Sequence, residues 1–352
     1  MTAAALSYQQ VAADHRRQLR RKWLVLLVLS LILAAGALLD ITTGASGLSL
    51  ETLWQTLRQP DTADPATAVI VWQIRLPAAL IAVAAGLALG LAGAEMQTVL
   101  HNPLADPFTL GLQPAAALGA ALALILKLSL PGLPAEWMLP VNAFVFALSS
   151  ALLLDLVSRA GRMSANGVVM FGIALFFSFN ALVSLLQFIS TAESLQDLVF
   201  WLMGSLSRAT WPQIGLTFAA FALVLPWSLA RAWQLTALRL GEDRAASFGV
   251  DVRRLRLGAL LRASLLTSMA VAFVGTIGFI GLIAPHIARR LAGEDHRFYL
   301  PASALTGAAI LSLASCAGKH LSAGAIVPVG IVTSLVGIPF FIAIVLRNGG
   351  RP

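Results

Sequence analysis

Cysteine is almost missing: Cys316 stands alone among 352 residues, so neither an intrachain disulfide nor a paired-cysteine metal site can form. Charge is scarce as well. Asp, Glu, Lys and Arg together make up 11% of the chain, where soluble globular proteins carry about a quarter. That excludes an ordinary water-soluble globule, and a hydrophobic content of 58% excludes disorder. No G-x-x-x-x-G-K-[ST] loop, H-E-x-x-H, C-x-x-C or G-x-S-x-G occurs. P-loop ATP hydrolysis, zinc-peptidase, dithiol and serine-hydrolase chemistry therefore have no home here.

What fills the chain is apolar and small. Glycine reaches 28 residues and the mean hydropathy is +0.84, the profile of a polytopic helical membrane protein whose small residues let helices approach closely. A spanning helix needs about 20 largely apolar residues. Runs near 23–39, 78–98, 112–130, 139–157, 167–189, 213–230, 257–274 and 330–346 qualify. The stretch 275–318 is interrupted by Arg289, Arg290, Glu294, Asp295, His296 and Arg297, and reads as two helices, 276–292 and 300–318, joined by a charged turn. Ten spans place both termini on one side. The first apolar run begins only at Trp23, so the N-terminal region reads as a basic tail, 1–22, before a first span rather than as a cleavable signal.

The net charge of +8 raises the question of nucleic acid. Placed on ten spans, however, 19 of the 24 basic residues fall on the side of the termini, as the positive-inside rule requires of cytoplasmic loops. This set includes Arg159, Arg162, Arg262, Arg347 and Arg351. No nucleic-acid partner is expected. Intramembrane charge is sparse: Glu95 is the one acid well inside an apolar run, and it reads either as a functional site or as a group that pairs near the cytoplasmic end of its helix. Such scarcity speaks against an ion-coupled carrier, which keeps several ionisable groups near the midplane. A channel or a permease driven by another subunit remains.

Three segments carry further information. Residues 240–250 run from one glycine through a short helix-forming stretch to another, which fits a brief helix closed by a glycine cap. It reads as a docking helix or as a solvated arginine-bearing loop. Residues 101–111 hold Pro103 and Pro107, each after Asn or Asp, which force an extended turn. That turn reads as a plain connection or as a fixed constriction. On the outer rim, Arg75 and Lys319 read as anchors for a partner's carboxylates or as snorkelling side chains.

Taken in order, Ile74–Pro77, Gly93–Gln97, Asn102–Pro107, Phe200–Ser205, Leu240–Glu242 with Phe248–Val250, Gly278–His286 and Val327–Gly330 resemble the FecCD-type permeases of ABC importers for ferric siderophores, haem and cobalamin. The resemblance spans about residues 20–347. It implies an all-α, type II ABC importer permease fold of about ten transmembrane helices per subunit. One permease domain, 23–347, would carry a coupling helix near 240–250. It further implies a pair of such subunits, a homodimer or a pseudo-symmetric pair, around one pathway on the two-fold axis. Two cytoplasmic ATP-binding subunits would supply ATP and magnesium chemistry, a periplasmic substrate-binding protein would deliver cargo, and this chain would hold no cofactor or metal of its own. The setting is the bacterial inner membrane, lipid all round and both termini cytoplasmic.

Carried over by position, Gly241, Glu242, Ala245 and Gly249 are expected to contact the ATPase. Asn102, Leu104, Ser164, Ala165 and Asn166 are expected to form the cytoplasmic gate, and Arg75 and Lys319 to hold the binding protein. The sequence departs from the family pattern at Ala78, Ile326 and Glu95. His286 and His296 invite a haem-ligand reading, but the family motif carries Pro-His in any case, so His286 is expected to be structural. Ferric siderophore is the expected substrate, haem or cobalamin the alternative, and a stand-alone channel or ion-coupled carrier the more distant one.

Overall fold

The computed structural model describes residues 2–348 except 45, 46, 48, 129, 130, 162 and 322–325, and among the described residues it is helical with no strand. The helices are α1 (Thr2–Thr42), α2 (Leu50–Arg58), α3 (Pro65–Val69), α4 (Leu76–Val99), α5 (Leu112–Ile125), α6 (Ala135–Ala160), α7 (Ala165–Ile189) and α8 (Ala192–Leu202). They continue as α9 (Trp211–Ala230), α10 (Ala232–Leu238), α11 (Glu242–Ser247), α12 (Val252–Val274), α13 (Ile280–Ala292), α14 (His296–His320) and α15 (Val329–Asn348). Seven are long and apolar enough to cross a bilayer, α3 and α4 counting as one, and α5 and α15 are shorter apolar helices; α13, with Arg289 and Arg290 in its last turn, occupies the remaining expected position.

The differences from the expected bounds have local causes. The second span begins at Pro65, not at 78, because a π-helical turn, Ile70–Arg75, joins α3 to α4. That widened turn lies where Pro77 removes the N–H that Gln73 would otherwise receive. The third span stops at Ile125 rather than 130, and Lys127 there takes a left-handed φ of +50°. Helix α13 starts at Ile280 rather than 276, since Gly275 (φ +77°) and Phe279 (φ +70°) break the chain between α12 and α13. Of the basic residues assigned to the terminal side, Arg162 and Arg351 lie outside the described residues, as do the side chains of Arg159 and Arg347. Arg262 is a correction: it is buried inside α12, not in a loop.

Helix α4 is the central post, buried almost throughout and packed against α14, α12, α13 and α9. Its glycines allow this. A Cβ on Gly86 would lie 2.5 Å from the Ala308 Cα, and one on Gly93 only 1.9 Å from the Gly281 carbonyl oxygen. Close backbone approach replaces the hydrophobic drive that lipid cannot supply between helices. At the periphery α1 buries or half-buries Lys22, Leu26, Leu29, Leu33, Gly36 and Asp40, a stripe at helical spacing, and packs on α14. Its other face exposes Trp23, Leu24, Leu27, Val28 and Leu31. Helix α7 likewise exposes Met170, Phe177 and Phe188, a surface suited to acyl chains.

Candidate coupling and gating site

The segment after α10 is shaped by two glycines in conformations that L side chains rarely adopt, Gly241 at φ +107° and Gly249 at +81°. Between them α11 places Glu242 and Asp243 in its first turn, where the helix dipole favours negative charge. Its end is closed by hydrogen bonds from Phe248 N to Arg244 O (3.2 Å) and from Val250 N to Ala245 O (3.1 Å). Ala245 and Val250 are buried and pin the segment down, while Asp243, Arg244, Ala246, Ser247 and Phe248 face outward. Ala245 is therefore an anchor, not a surface contact. Leu240 and Phe248, 55% and 57% exposed, are apolar side chains of the same segment that stand outside the set expected to contact the ATPase. A six-residue helix is too short for its buried phase to show in the sequence.

This segment is braced to the turn that follows α4. Glu242 accepts a hydrogen bond from Arg256 Nη2, and Arg256 Nε donates to the Val99 carbonyl at 3.1 Å. His101 Nε2 lies 2.9 Å from the Leu238 carbonyl, and its Nδ1 is 3.9 Å from Glu242 Oε1. The end of α4, the start of the 101–111 turn and the α10–α11 segment thus form one linked unit. The expected coupling residue Glu242 and the expected gate turn stand one side chain apart.

Within the turn, the Leu104 N–H donates to Asn102 Oδ1 at 2.9 Å, an Asx-type bond that fixes the Pro103 corner. Thr109 Oγ1 donates to the Asp106 carbonyl at 3.0 Å, and Gly111 at φ +84° starts α5. Leu104, 38% exposed, lines a groove of about 730 Å³ with Phe108, Met203, Phe279, Leu282, Leu335, Ile338 and the carboxyl-bearing Asp106. Ser164 caps α7, accepting from Gly167 N at 3.3 Å. Ser164 and Asn166 are exposed, Ala165 is half-buried, and none of the three lines that groove.

The motifs 200–205 and 327–330, with the break between α12 and α13, also border the groove. Ser205 N donates to Val274 O at 2.8 Å and Gly330 N to Met203 O at 3.1 Å. A Cβ on Gly275 would stand 2.3 Å from Trp201 O, and one on Gly330 2.4 Å from Met203 O. Glycine here is demanded by three backbones meeting.

A second set of ties runs between α1, α10 and the turn joining α13 to α14. Arg239 donates twice to Glu294 (2.9 and 2.6 Å), Lys22 Nζ meets Asp295 at 3.3 Å, and Arg297 Nη2 donates to Asp295 at 2.8 Å. The Arg239 hydrogen bonds hold the Glu294 carboxyl below its usual range. Burial opposes charge on Asp295, but the bonds from Arg297 and Lys22 outweigh it and bring that carboxyl to about 2. His296 is buried with its two ring nitrogens on Thr98 Oγ1 (2.9 Å) and Thr236 Oγ1 (3.1 Å), so it is occupied as a structural bridge. His286 packs edge-on against Phe340. Among the described residues no group of three metal-ligating side chains gathers.

Arg75 and Lys319 lie at the opposite end and turn inward. Arg75 Nη1 donates to the carbonyls of Ile41 (3.1 Å) and Thr42 (2.8 Å). Lys319 Nζ donates to the Asp40 carbonyl at 2.6 Å and sits 2.8 Å from its carboxylate. Two cations on the last carbonyls of α1 complement its dipole and satisfy its orphan acceptors. Lys319 also borders a recess of about 430 Å³ shared with Arg208 and Asp197. In the interior, Glu95 is fully buried and accepts from Arg262 Nε and Nη2. The pairing alternative for Glu95 is the one the fold realises.

The comparisons with known proteins agree with this geometry. The hemin transport system permease protein HmuU of Yersinia pestis is 40% identical over 326 residues, covering 92% of this chain and 94% of that protein. The vitamin B12 import system permease protein BtuC of Salmonella typhi is 35% identical over 95% of this chain and 98% of its own. The molybdate import system permease protein MolB of Haemophilus influenzae is 35% identical over 93% and 97%. Among solved structures, a metal-chelate type ABC transporter in an inward-facing conformation superimposes with a TM-score of 0.80 at 33% identity, covering 92% of this chain and 99% of that one. The FecCD transport family matches residues 29–347, and the chain belongs to that family as a multi-pass permease subunit of an ABC importer, whose ATP hydrolysis is the work of partner subunits.

Proposed function

We propose that this permease moves an iron chelate across a bacterial inner membrane as one half of a homodimer, with the face of the basic loops cytoplasmic. The brace from α11 through Arg256 and His101 to the 101–111 turn carries the mechanical part of this reading. ATP-driven movement of the ATPase subunits, gripping Leu240, Asp243, Arg244 and Phe248, pulls on a segment that cannot move without the end of α4. The turn bearing Asn102 and Leu104 then shifts at the mouth of the groove, and Gly241 and Gly249 provide the bends that let the segment stand off the membrane.

The groove walls are largely apolar, which suits a pathway that must release a large ligand as well as admit it. Selectivity then rests mainly with the binding protein on the opposite face. We place its docking at the recess lined by the exposed Arg208, whose cation complements acidic side chains, while Lys319 and Arg75 set the position of the α1 end beneath it. Haem is the iron chelate that the 40% identity to a hemin permease favours, and a ferric siderophore is the second reading. The experiment is ATP-dependent uptake into proteoliposomes holding the permease, its ATPase and its binding protein, with haem, a ferric siderophore, cobalamin and molybdate offered in turn. Saturable accumulation of haem or the siderophore supports the reading. Accumulation of only cobalamin or molybdate refutes the iron assignment, and uptake without the ATPase refutes the importer mechanism.

A further inference from the structure

We infer that Arg16, Arg17, Arg20 and Arg21 form a binding stripe for the phosphates of anionic phospholipids in the leaflet on the basic face. Helix α1 does not stop where its apolar run stops. It is 41 residues long, about 60 Å at a helical rise, and the four arginines sit on its extension beyond Trp23. At about 100° per residue they occupy an arc of about 140°, and the lipid-facing Leu24, Leu27, Val28 and Leu31 fall within that same arc. The opposite face of the extension continues the protein-facing stripe: Leu19 is half-buried, and Lys22 turns inward to Asp295 and stacks over Phe298 at 5.2 Å. The arginines therefore point where the helix has already met lipid, one layer further out.

Depth agrees with direction. Trp23, 64% exposed, is an interfacial side chain by type. Arg20 and Arg21 stand about 3–5 Å above it along the axis and Arg16 and Arg17 about 9–11 Å, against a headgroup layer of about 5–7 Å per leaflet. Long arginine side chains reach back across the remainder. All four are exposed. Arg16 Nε donates only to its own helix, at Ala12 O (3.3 Å), and none of the four meets a carboxylate among the described residues. Asp14, the only acid on the extension, is exposed and likewise outside any ion pair. Guanidinium groups suit phosphate through paired N–H donors, and each cation near an anionic surface adds attraction. A protein partner meeting this arc would have to lie over lipid to do so, which makes the headgroup the occupant.

The test uses the whole permease in nanodiscs of equal parts phosphatidylglycerol and phosphatidylcholine, with retained lipid counted by native mass spectrometry. Wild type is expected to retain phosphatidylglycerol selectively. The variant R16Q/R17Q/R20Q/R21Q is expected to lose that selectivity about tenfold, and the corresponding all-lysine variant to keep most of it. If the fourfold variant expresses poorly, R16Q/R17Q and R20Q/R21Q should each lose part of the enrichment. Unchanged selectivity in the glutamine variants overturns the inference. So does complete displacement of the retained lipid when the ATPase subunits bind, since the arginines would then be a protein interface.

Discussion

Arg262 Nη2 lies 2.6 Å from Glu95 Oε1, and Arg262 Nε lies 3.0 Å from the same oxygen, in a pair whose members are 2% and 0% exposed. Trp227 closes over the guanidinium at 5.4 Å. Three helices, α4, α9 and α12, meet on this contact. Arg256 joins α12 to α4 a second time at Val99, so α12 and α4 are fastened at two heights and are positioned to move as one body.

Removing one partner strands the other charge in the interior, so Glu95→Ala or Arg262→Ala should destabilise the permease by about 3–5 kcal/mol. The double change Glu95→Leu with Arg262→Leu should recover most of the loss, because no orphan charge remains. Thermal unfolding in detergent measures both. Transport per folded molecule should survive in the double variant, and its loss there would make Glu95 a pathway residue.

The glycine contacts of α4 give a steric prediction. Gly93→Ala pushes a methyl against the Gly281 backbone and should cost about 1–3 kcal/mol or more. Gly215→Ala in α9, where nothing lies within 4 Å, should cost no stability, since alanine favours the helix more than glycine does. Equal effects at the two positions would contradict the packing described for α4.

Acid should loosen the charged turn at 293–297. Glu294 titrates below its ordinary value of 4.5 because Arg239 donates to its carboxylate. A depressed folded value means that stability is fully present above the unfolded value and is lost as pH falls through the folded one. Wild type should therefore lose thermal stability more steeply than Glu294→Gln as pH drops below about 4.5. Parallel profiles would show that the Arg239–Glu294 bond contributes nothing. The pair is partly exposed, so the difference should be small and should shrink in high salt.

At the opposite end, Lys319→Met leaves the buried Asp40 without its cation and should lower stability, with Asp40→Asn restoring it in the double variant. Arg75→Met removes two charge-assisted bonds to α1 and should cost about 1.5–3 kcal/mol. Binding-protein affinity of the folded Arg75→Met protein, read by titration, should stay near wild type. A large loss of affinity without loss of stability would return Arg75 to a direct docking role.

The seven long apolar helices and the shorter α5 and α15 were legible among the described residues because apolar runs punctuated by charge are a strong signal, and α13 was found through the charged turn after it. The partner of Glu95 was not, since Arg262 lies 167 residues away and composition carries no information about such pairs. Arg75 and Lys319 lie at the end opposite the 240–250 segment, but the inward turn of their side chains depends on where α1 ends. At 240–250 the two glycines marked the segment, whereas the burial of Ala245 and the exposure of Phe248 follow from a phase set by packing on α10 and α12. The 101–111 turn was found by its prolines, and its link through His101 to Leu238 is a tertiary contact that no local pattern encodes.

The most direct test of the coupling account is ATP-driven uptake of whichever substrate the wild type accumulates in proteoliposomes with the ATPase and binding protein present, comparing wild type with Glu242→Ala, His101→Ala and Phe248→Ala at matched amounts of folded permease. The account predicts that uptake falls about tenfold in Glu242→Ala and Phe248→Ala, equivalent to about 1.4 kcal/mol of coupling, and by less in His101→Ala, whose brace Arg256 still shares. Uptake at the wild-type rate in all three, or accumulation driven by an ion gradient with no ATPase present, would contradict it.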